Sequence, residues 1–155
     1  MFRGIRRTKN ELDISEGIVL LESNRRGALS VYGDDGYPYT IPVNFYYEDD
    51  HIYIHCAKKG HKLDSIHRNS KVCFTTWNDG ILKDDWAYYV SSVVCFGQAK
   101  IMEDKEQMRE MIWKLGYKYY PNELEVKKEI DKDFDFISMI DIDIEHMSVK
   151  QIHER

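Results

Sequence analysis

Asn44, His55 and Lys62 have the side-chain types and the spacing expected of a site for a polar ligand. An imidazole can exchange a proton near neutral pH, and an ammonium group close to a helix start suits a phosphate. Asn44 and His55 lie in two successive segments in which apolar and polar residues alternate, and Lys62 follows the second segment. Whether these residues meet depends on how the segments pair.

The two segments, Tyr39–Tyr47 and His51–Ala57, have the period of half-buried strands and are joined by an acidic turn. A turn of residues 48–51 predicts three facing pairs: Tyr47 with Ile52, Phe45 with Ile54, and Val43 with Cys56. The same register sets Asn44 opposite His55 on the face away from the core, because neighbouring strand residues point to opposite faces. We therefore predict a hairpin whose outer face is a wall for a polar ligand.

A cationic loop, Lys58–Lys62, follows the second strand and leads into a predicted helix. Free amides at the helix start, the positive dipole end and the lysines together suit a phosphate, and Gly60 allows a sharp turn. The loop's composition alone is also typical of a solvated basic turn, and taken alone it favours that interpretation. No Walker-type or GxGxxG sequence is present, so neither a P-loop nor a dinucleotide-binding sheet is predicted.

Other chemistries are poorly supported by the residue spacing. The histidines at 51, 55, 61 and 67 match no common zinc pattern, so we predict no metal site. Cys56 adjoins His55, but consecutive strand side chains point apart, so His55 cannot readily activate that thiol. The acidic residues fall in turns or on the predicted solvent face of the last strand, and no pair suited to hydrolysis emerges.

The 155-residue composition is that of one globular domain, residues 1–155, with 43% hydrophobic and 32% charged residues. A formal net charge of −5 argues against nucleic acid as a partner. No apolar run is long enough to span a membrane, and no hydrophobic signal segment is evident. Three cysteines without CxxC spacing indicate reduced core thiols in a cytoplasmic protein.

The remaining patterns predict about six antiparallel strands with peripheral helices, an α+β barrel. Asp13 or Ser15 caps a first helix, and Asp104 with Gln107 caps another. The long β-rich run 86–102 is expected to bend at Gly97 through a bulge. The last strand, 137–144, alternates isoleucines with Asp141 and Asp143, which predicts one buried face and one face in water.

Four stretches in this order resemble the flavin-binding split barrels related to pyridoxamine 5′-phosphate oxidase: PYTIPVNF, IYIHCAKKGHKLD, NSKVCF and SSVVCFGQAKIMED. Within that superfamily the chain is most similar to the nitroimidazole-resistance flavoproteins. The resemblance implies a Greek-key split β-barrel, a bound FMN and a homodimer with two FMN sites at the subunit interface. The stretch HMSVKQIHER lacks the tryptophan and the arginine-rich ending with which the parent oxidases grip their substrate, so vitamin B6 oxidation is not expected.

Residue by residue, the resemblance implies an FMN site. Lys62 matches the lysine that holds the phosphate, with Gly60 and His61 in the same loop. The strand along the flavin ring is matched by four residues: Ile41, Pro42, Val43 and Asn44. His55 and Ala57 match the second strand beside the cofactor, and Ser92 matches a polar residue that contacts the ring.

The implied activity is FMN-dependent reduction of a small organic acceptor, such as a nitroaromatic, with electrons from an outside donor. His55 matches a histidine beside the flavin and is the expected catalytic residue, either as a proton donor or as a substrate-orienting group. Its pattern alone equally fits a histidine satisfied by Asn44 across the hairpin. A non-catalytic flavin- or haem-binding barrel, and a deazaflavin-dependent reductase, stay open as alternatives.

Overall fold

The sheet in this computed structural model, which describes residues 1–154, has eight strands, and every strand pair is antiparallel. The strands are β1 Gly27–Tyr32, β2 Pro38–Val43, β3 Tyr46–Glu48, β4 His51–Ala57, β5 Lys71–Trp77, β6 Ile81–Leu82, β7 Tyr88–Ile101 and β8 Ile137–Glu154. The α-helices of this range are α1 Ile14–Ser23, α2 His61–Arg68, α3 Lys105–Tyr119 and α4 Glu123–Asp133.

The sheet curls into a barrel that is left open on one side. Its strand order is β2-β1-β5-β7-β8-β4-β3, with β6 beside β7. Strands β2 and β3 are the two ends of this order, yet only Asn44 and Phe45 separate them in sequence. The sheet must therefore bend round until its ends lie close, and no ladder within residues 1–154 joins them. The predicted α+β antiparallel split barrel is confirmed.

Eight strands replace the six that the sequence predicts, for two reasons. The predicted strand 39–47 is interrupted at Asn44 and Phe45, so that β2 pairs with β1 while β3 pairs with β4. The loop 78–85 contains the two-residue strand β6, which pairs with β7. Both additions are short edge strands with little sequence signal of their own.

The hairpin register is correct near the turn and wrong further away. Tyr47 pairs with Ile52 as predicted. Val43 pairs with Gly27 of β1 instead of Cys56, and Cys56 pairs with Ser138 of β8. The chain leaves one end of the sheet at Asn44 and joins the other end at Tyr46, so the hairpin ladder cannot extend back to Val43.

The last strand is longer than predicted and is not exposed along one whole face. β8 runs to Glu154 because β7 pairs with it along its full length. Asp141 was expected in water, but its side chain is only 2% exposed; it accepts a hydrogen bond from Nδ1 of His51 at 2.6 Å and lies 3.5 Å from Nζ of Lys100. These partners compensate the buried carboxylate.

Three local predictions, one bulge and two helix caps, are confirmed. The β7–β8 register shifts at Phe96 and Gly97, and a Cβ at position 97 would collide with the backbone carbonyl of Asp143, so the bulge requires glycine there. Asp13 caps α1 through Ser15 N–H, and Asp104 caps α3 by accepting hydrogen bonds from the N–H groups of Glu106 and Gln107.

Two apolar cores lie on opposite sides of β4. Ile52, Ile54 and Cys56 point into the barrel core. Tyr53, on the other face, belongs to a second core that α3 and α4 form against the outer face of β4 and the start of β8. The next outward residue along β4 is His55, which is exposed. His55 therefore lies at the edge of the surface of β4 that α3 and α4 cover, and this edge determines what surrounds it.

No helix among residues 1–154 combines the length and apolarity needed to cross a membrane.

Candidate functional site

A cavity of about 590 Å³ opens where the helical cover of β4 ends. His55 and Asn44 line one side, while the C-terminal part of α3 and one face of α4 line the other. Its apolar lining residues are Ile112, Leu115, Val126, Ile130, Phe134 and Ile137. A concave apolar space of this size with a few polar groups is typical of a small-molecule site.

His55 enters this cavity because of its place on β4. Met139, its partner on β8, is fully buried under the helices, and Tyr53 is 5% exposed. His55 itself reaches water, but the cavity walls around its ring lower its pKa, and the positive charge of Lys62 lowers that pKa further. The imidazole is therefore neutral at pH 7, with one N–H donor and one acceptor nitrogen.

Asn44 reaches the same cavity through the break between β2 and β3. Phe45 is fully buried in the barrel core, which fixes the chain directly after Asn44. The hydroxyl of Tyr119 accepts a hydrogen bond from Phe45 N–H at 3.0 Å and donates to the carbonyl of Arg25 at 2.6 Å. Lys118 Nζ donates to the Phe45 carbonyl at 2.9 Å. Side chains at the end of α3 thus replace the sheet partners that Phe45 lacks.

Lys118 takes part in this arrangement at an electrostatic cost. Its ammonium group lies 4.0 Å from the centroid of the Phe45 ring. Burial lowers the pKa of Lys118 to about 8, and the nearby charge of Arg25 contributes in the same direction. The contact with the Phe45 carbonyl is therefore sensitive to alkaline pH.

The cationic loop has the geometry of an anion site at the start of α2. Gly60 precedes the helix with φ +147°, and open space lies where its Cβ would be. No side chain in the described chain caps this helix start. Lys62 is half-buried near His55 and Cys56, since its charge acts on the pKa values of both residues. Helix amides, dipole and lysine are therefore together at the end of β4.

His61 lies in this loop but its side chain is directed elsewhere. Its ring stacks on Tyr39 with centroids 4.1 Å apart, and its Nε2 lies 3.6 Å from a carboxylate oxygen of Asp34. That nitrogen is buried without a hydrogen-bond partner in the described chain. Arg68 donates to the same carboxylate at 2.6 Å. These contacts hold α2 against the β1–β2 turn, so the side chain of His61 stabilises the position of the loop.

The other predicted flavin residues are spread along neighbouring surfaces. Ile41 and Val43 are half-buried against the barrel core, and Pro42 is exposed on the edge strand β2, where a missing N–H is tolerated. Ala57 is exposed at the end of β4. Ser92 lies in the middle of the sheet, between Trp77 of β5 and Lys150 of β8, and does not line the cavity.

Sequence reasoning missed the helical side of the cavity. Tyr119 and Tyr120 precede Pro121 and reach the cavity from the end of α3. Glu125, Glu129 and Asp133 line it from α4. Their spacing of four residues was a readable signal, because residues four apart share one face of a helix. The direction of that face depends on how α4 packs, which the spacing does not reveal.

Comparison with known proteins supports this description of the fold. Residues 13–151 match the family model described as pyridoxamine 5′-phosphate oxidase. A search of curated protein sequences finds no match.

Among solved structures, the chain is similar to a candidate 5-nitroimidazole antibiotic resistance protein from Bacteroides thetaiotaomicron, with TM-score 0.76, 20% identity, and 91% of this chain and 85% of that chain covered. An FAD-binding protein from Mesorhizobium loti gives TM-score 0.68, 22% identity and coverage of 91% and 96%. A flavocytochrome from Azotobacter vinelandii gives TM-score 0.76 and 18% identity, with 94% of this chain and 71% of that chain covered. At these identities the likeness shows a common fold.

Proposed function

This chain belongs to the pyridoxamine 5′-phosphate oxidase family, and from that premise and the cavity geometry we propose that it is a flavin-dependent reductase of a small organic acceptor. FMN is the expected flavin and a nitroaromatic the model acceptor. The observation that carries the proposal is that Asn44 and His55 meet in one cavity beside the cationic loop. Solved relatives described as nitroimidazole-resistance and FAD-binding proteins support the choice of chemistry.

The residues around the loop fit a flavin phosphate. Gly60 has open space beside it, the α2 start has no side-chain cap in the described chain, and Lys62 provides a positive charge. We assign the phosphate to these groups. Ile41, Pro42, Val43 and Asn44 would lie along the ring system, with Ala57 and Ser92 as further contacts. A bound flavin would supply two-electron transfer from an outside reductant to the acceptor.

His55 acts on the acceptor side as an orienting group. Its lowered pKa leaves the imidazole neutral at pH 7, so only a small fraction is available as a strong acid. A neutral ring still donates one N–H, and an oxygen of a nitro or carbonyl acceptor can receive that hydrogen bond. Asn44, on the same wall, can donate a second one. Together they would hold the acceptor while its proton comes from solvent.

We assign the exposed sheet face to a homodimer interface. Its outer side carries exposed aromatic residues, among them Tyr32, Trp77 and Phe96. Trp86 is 83% exposed at a positive φ of 60°, an unfavourable conformation that presents the indole to the outside. A partner covering these residues would also shield the flavin. Unpaired cysteines support a reducing compartment, and we place the protein in the cytoplasm.

The first experiment is a titration of the purified protein with FMN and, separately, with FAD, followed by absorbance. A stoichiometric flavin spectrum supports the cofactor assignment, and the tighter ligand identifies the flavin. The loaded protein is then reduced with dithionite without oxygen and mixed with a nitroaromatic. Reoxidation of the flavin at a rate that falls in His55→Ala, but not in a variant of the exposed α2 residue His67, His67→Ala, supports the reductase.

Three results would overturn the proposal. A protein that binds neither FMN nor FAD is not a flavin-dependent reductase. A protein that binds flavin, yet whose reduced form is not reoxidised by the acceptor, is a binding protein. A haem absorption band in place of a flavin band, lost in His55→Ala, would identify a haem-binding protein instead.

A further inference from the structure

One wall of the cavity that contains His55 is acidic. Glu125, Glu129 and Asp133 occupy successive turns of α4 and face the cavity over an apolar floor formed by Val126 and Ile130. Glu125 is paired with Lys128 at 2.8 Å. Within residues 1–154 neither Glu129 nor Asp133 has an ion-pair partner. The α4 wall therefore presents two uncompensated negative charges.

Three cations, Arg25, Arg26 and Lys118, surround the ring of Tyr119 at 5.3, 5.7 and 5.5 Å from its centroid, but no Lys or Arg of the described chain lines the cavity itself. Asn44 is neutral, and His55 is neutral at pH 7. Lys62, the cation whose charge acts on His55, lies beyond that histidine at the start of α2 and is not among the residues that line the cavity. The negative charge on α4 and the positive charge near α2 thus lie on opposite sides of His55.

We propose that this cavity takes an organic cation: a small planar, apolar molecule that carries a protonated or quaternary nitrogen and sits between His55 and the α4 carboxylates. The planar part would pack on the floor of Val126 and Ile130 and against Phe134, and the cationic group would face Glu129 and Asp133. A molecule with a carboxylate or phosphate at the same end would be excluded by repulsion. This specificity rests on the proposed function, because it concerns the acceptor side of that site.

The size of the effect follows from the exposure of the carboxylates. An exposed ion pair contributes about 0.2–1 kcal/mol, a factor of roughly 1.4–5 in affinity. Two carboxylates attract a cation and repel a matched anion, so the Kd of the anion should exceed the Kd of the cation by about tenfold at low salt. The separation should shrink toward high salt, since these charges are accessible to counterions.

The test is isothermal titration of unreduced protein with three matched nitroaromatics: 4-nitrobenzyltrimethylammonium, 4-nitrobenzyl alcohol and 4-nitrophenylacetate. The expected order of affinity is cation, then alcohol, then anion. Glu129→Gln with Asp133→Asn should bring the cation and the anion to within about twofold of each other. The control, Glu123→Gln with Asp135→Asn, removes two exposed charges outside the cavity and should keep the original order.

Binding is measured without turnover and in both flavin-free and FMN-loaded protein, so its outcome is distinct from that of the reductase assay. Failure to bind flavin would end the proposed reductase but leave the charge preference measurable. An equal or reversed order, no binding of any of the three compounds, or an order that survives Glu129→Gln with Asp133→Asn would overturn the inference. Stoichiometric displacement of the cation by FMN would show that the flavin itself fills this cavity, which would also overturn it.

Discussion

The hydroxyl of Tyr119 accepts a hydrogen bond from the backbone N–H of Phe45 at 3.0 Å, across 74 residues of sequence. The contact lies where the chain passes from β2 to β3 and thus from one end of the sheet order to the other. It holds the residue that follows Asn44, and so it fixes one polar side chain of the cavity. The end of α3 is therefore part of the site, although it follows the hairpin by a long stretch of sequence.

Replacement of Tyr119 by phenylalanine should destabilise the protein by roughly 1–3 kcal/mol, because the buried Phe45 N–H would lose its acceptor. Urea unfolding measures the change, with Tyr117→Phe, an exposed tyrosine on the same helix, as the control. The variant should also bind cavity ligands more weakly, since Asn44 is no longer held. Unchanged stability in Tyr119→Phe would show that water replaces the hydroxyl without cost.

Lys118 should make the stability of this junction depend on alkaline pH. Its pKa in the folded protein is about 8, below its ordinary value of 10.5, so the unfolded chain binds more protons between these values. The free energy of unfolding should therefore rise with pH from about 8 to 10.5 through this group. The free energy of unfolding is measured by urea unfolding at several pH values for the wild type and for Lys118→Met. The wild-type value minus the variant value should rise over this pH range. A flat difference would contradict the lowered pKa.

His55 should contribute a pH dependence of the same sign in the acidic range. Its pKa in the folded protein is lowered below 6.5, so the unfolded chain binds more protons just below that pH. Stability from this group is present above about pH 6.5 and is lost as the pH falls through the lowered value. Unfolding of wild type and His55→Ala between pH 7 and 5 tests this, and the variant should lose stability less steeply. Parallel curves would contradict the neutral imidazole on which its orienting role depends.

Lys62→Ala should weaken FMN binding at least tenfold, because a hydrogen bond to a charged group contributes about 1.5–3 kcal/mol. Fluorescence titration with FMN gives the two dissociation constants. Lys59→Ala is the matched control, since Lys59 is exposed in the same loop outside the helix. Equal weakening by both variants would mean that the loop acts only through its total charge, and unchanged binding in Lys62→Ala would remove its assigned role.

The sequence predicted those features whose causes are local. The caps at Asp13 and Asp104, the Gly97 bulge and the Tyr47–Ile52 pair each follow from a few neighbouring residues. The break at Phe45 could not be predicted, because its stabilising partners come from α3. The burial of Asp141 was missed for the same reason: alternation along β8 does not show that Lys100 and His51 lie beside it.

The candidate site divides in the same way. The predicted facing pair of Asn44 and His55 is wrong, because His55 pairs with Met139 of β8 and Asn44 lies in the break between β2 and β3, yet both residues line one cavity. The resemblance correctly indicated the family. The spacing of the α4 carboxylates could be read from the sequence, but a helix with charges every four residues usually exposes that face to solvent, so the spacing did not assign them to the cavity. Only the packing of Val126 and Ile130 against the second core turns the carboxylates toward His55.

Gly97→Ala tests how strictly the barrel depends on its bulge. The added Cβ would meet the backbone carbonyl of Asp143, which cannot move without breaking its place in the β7–β8 ladder. Overpacking of this kind costs about 1–3 kcal/mol, and here the neighbour is backbone, so we expect the upper part of that range. Urea unfolding measures the loss, with Gly4→Ala as the control because open space surrounds that position. A stability loss no larger than the control's would show that β7 and β8 can shift apart at the bulge, and the barrel would then tolerate register changes that its sequence pattern argues against.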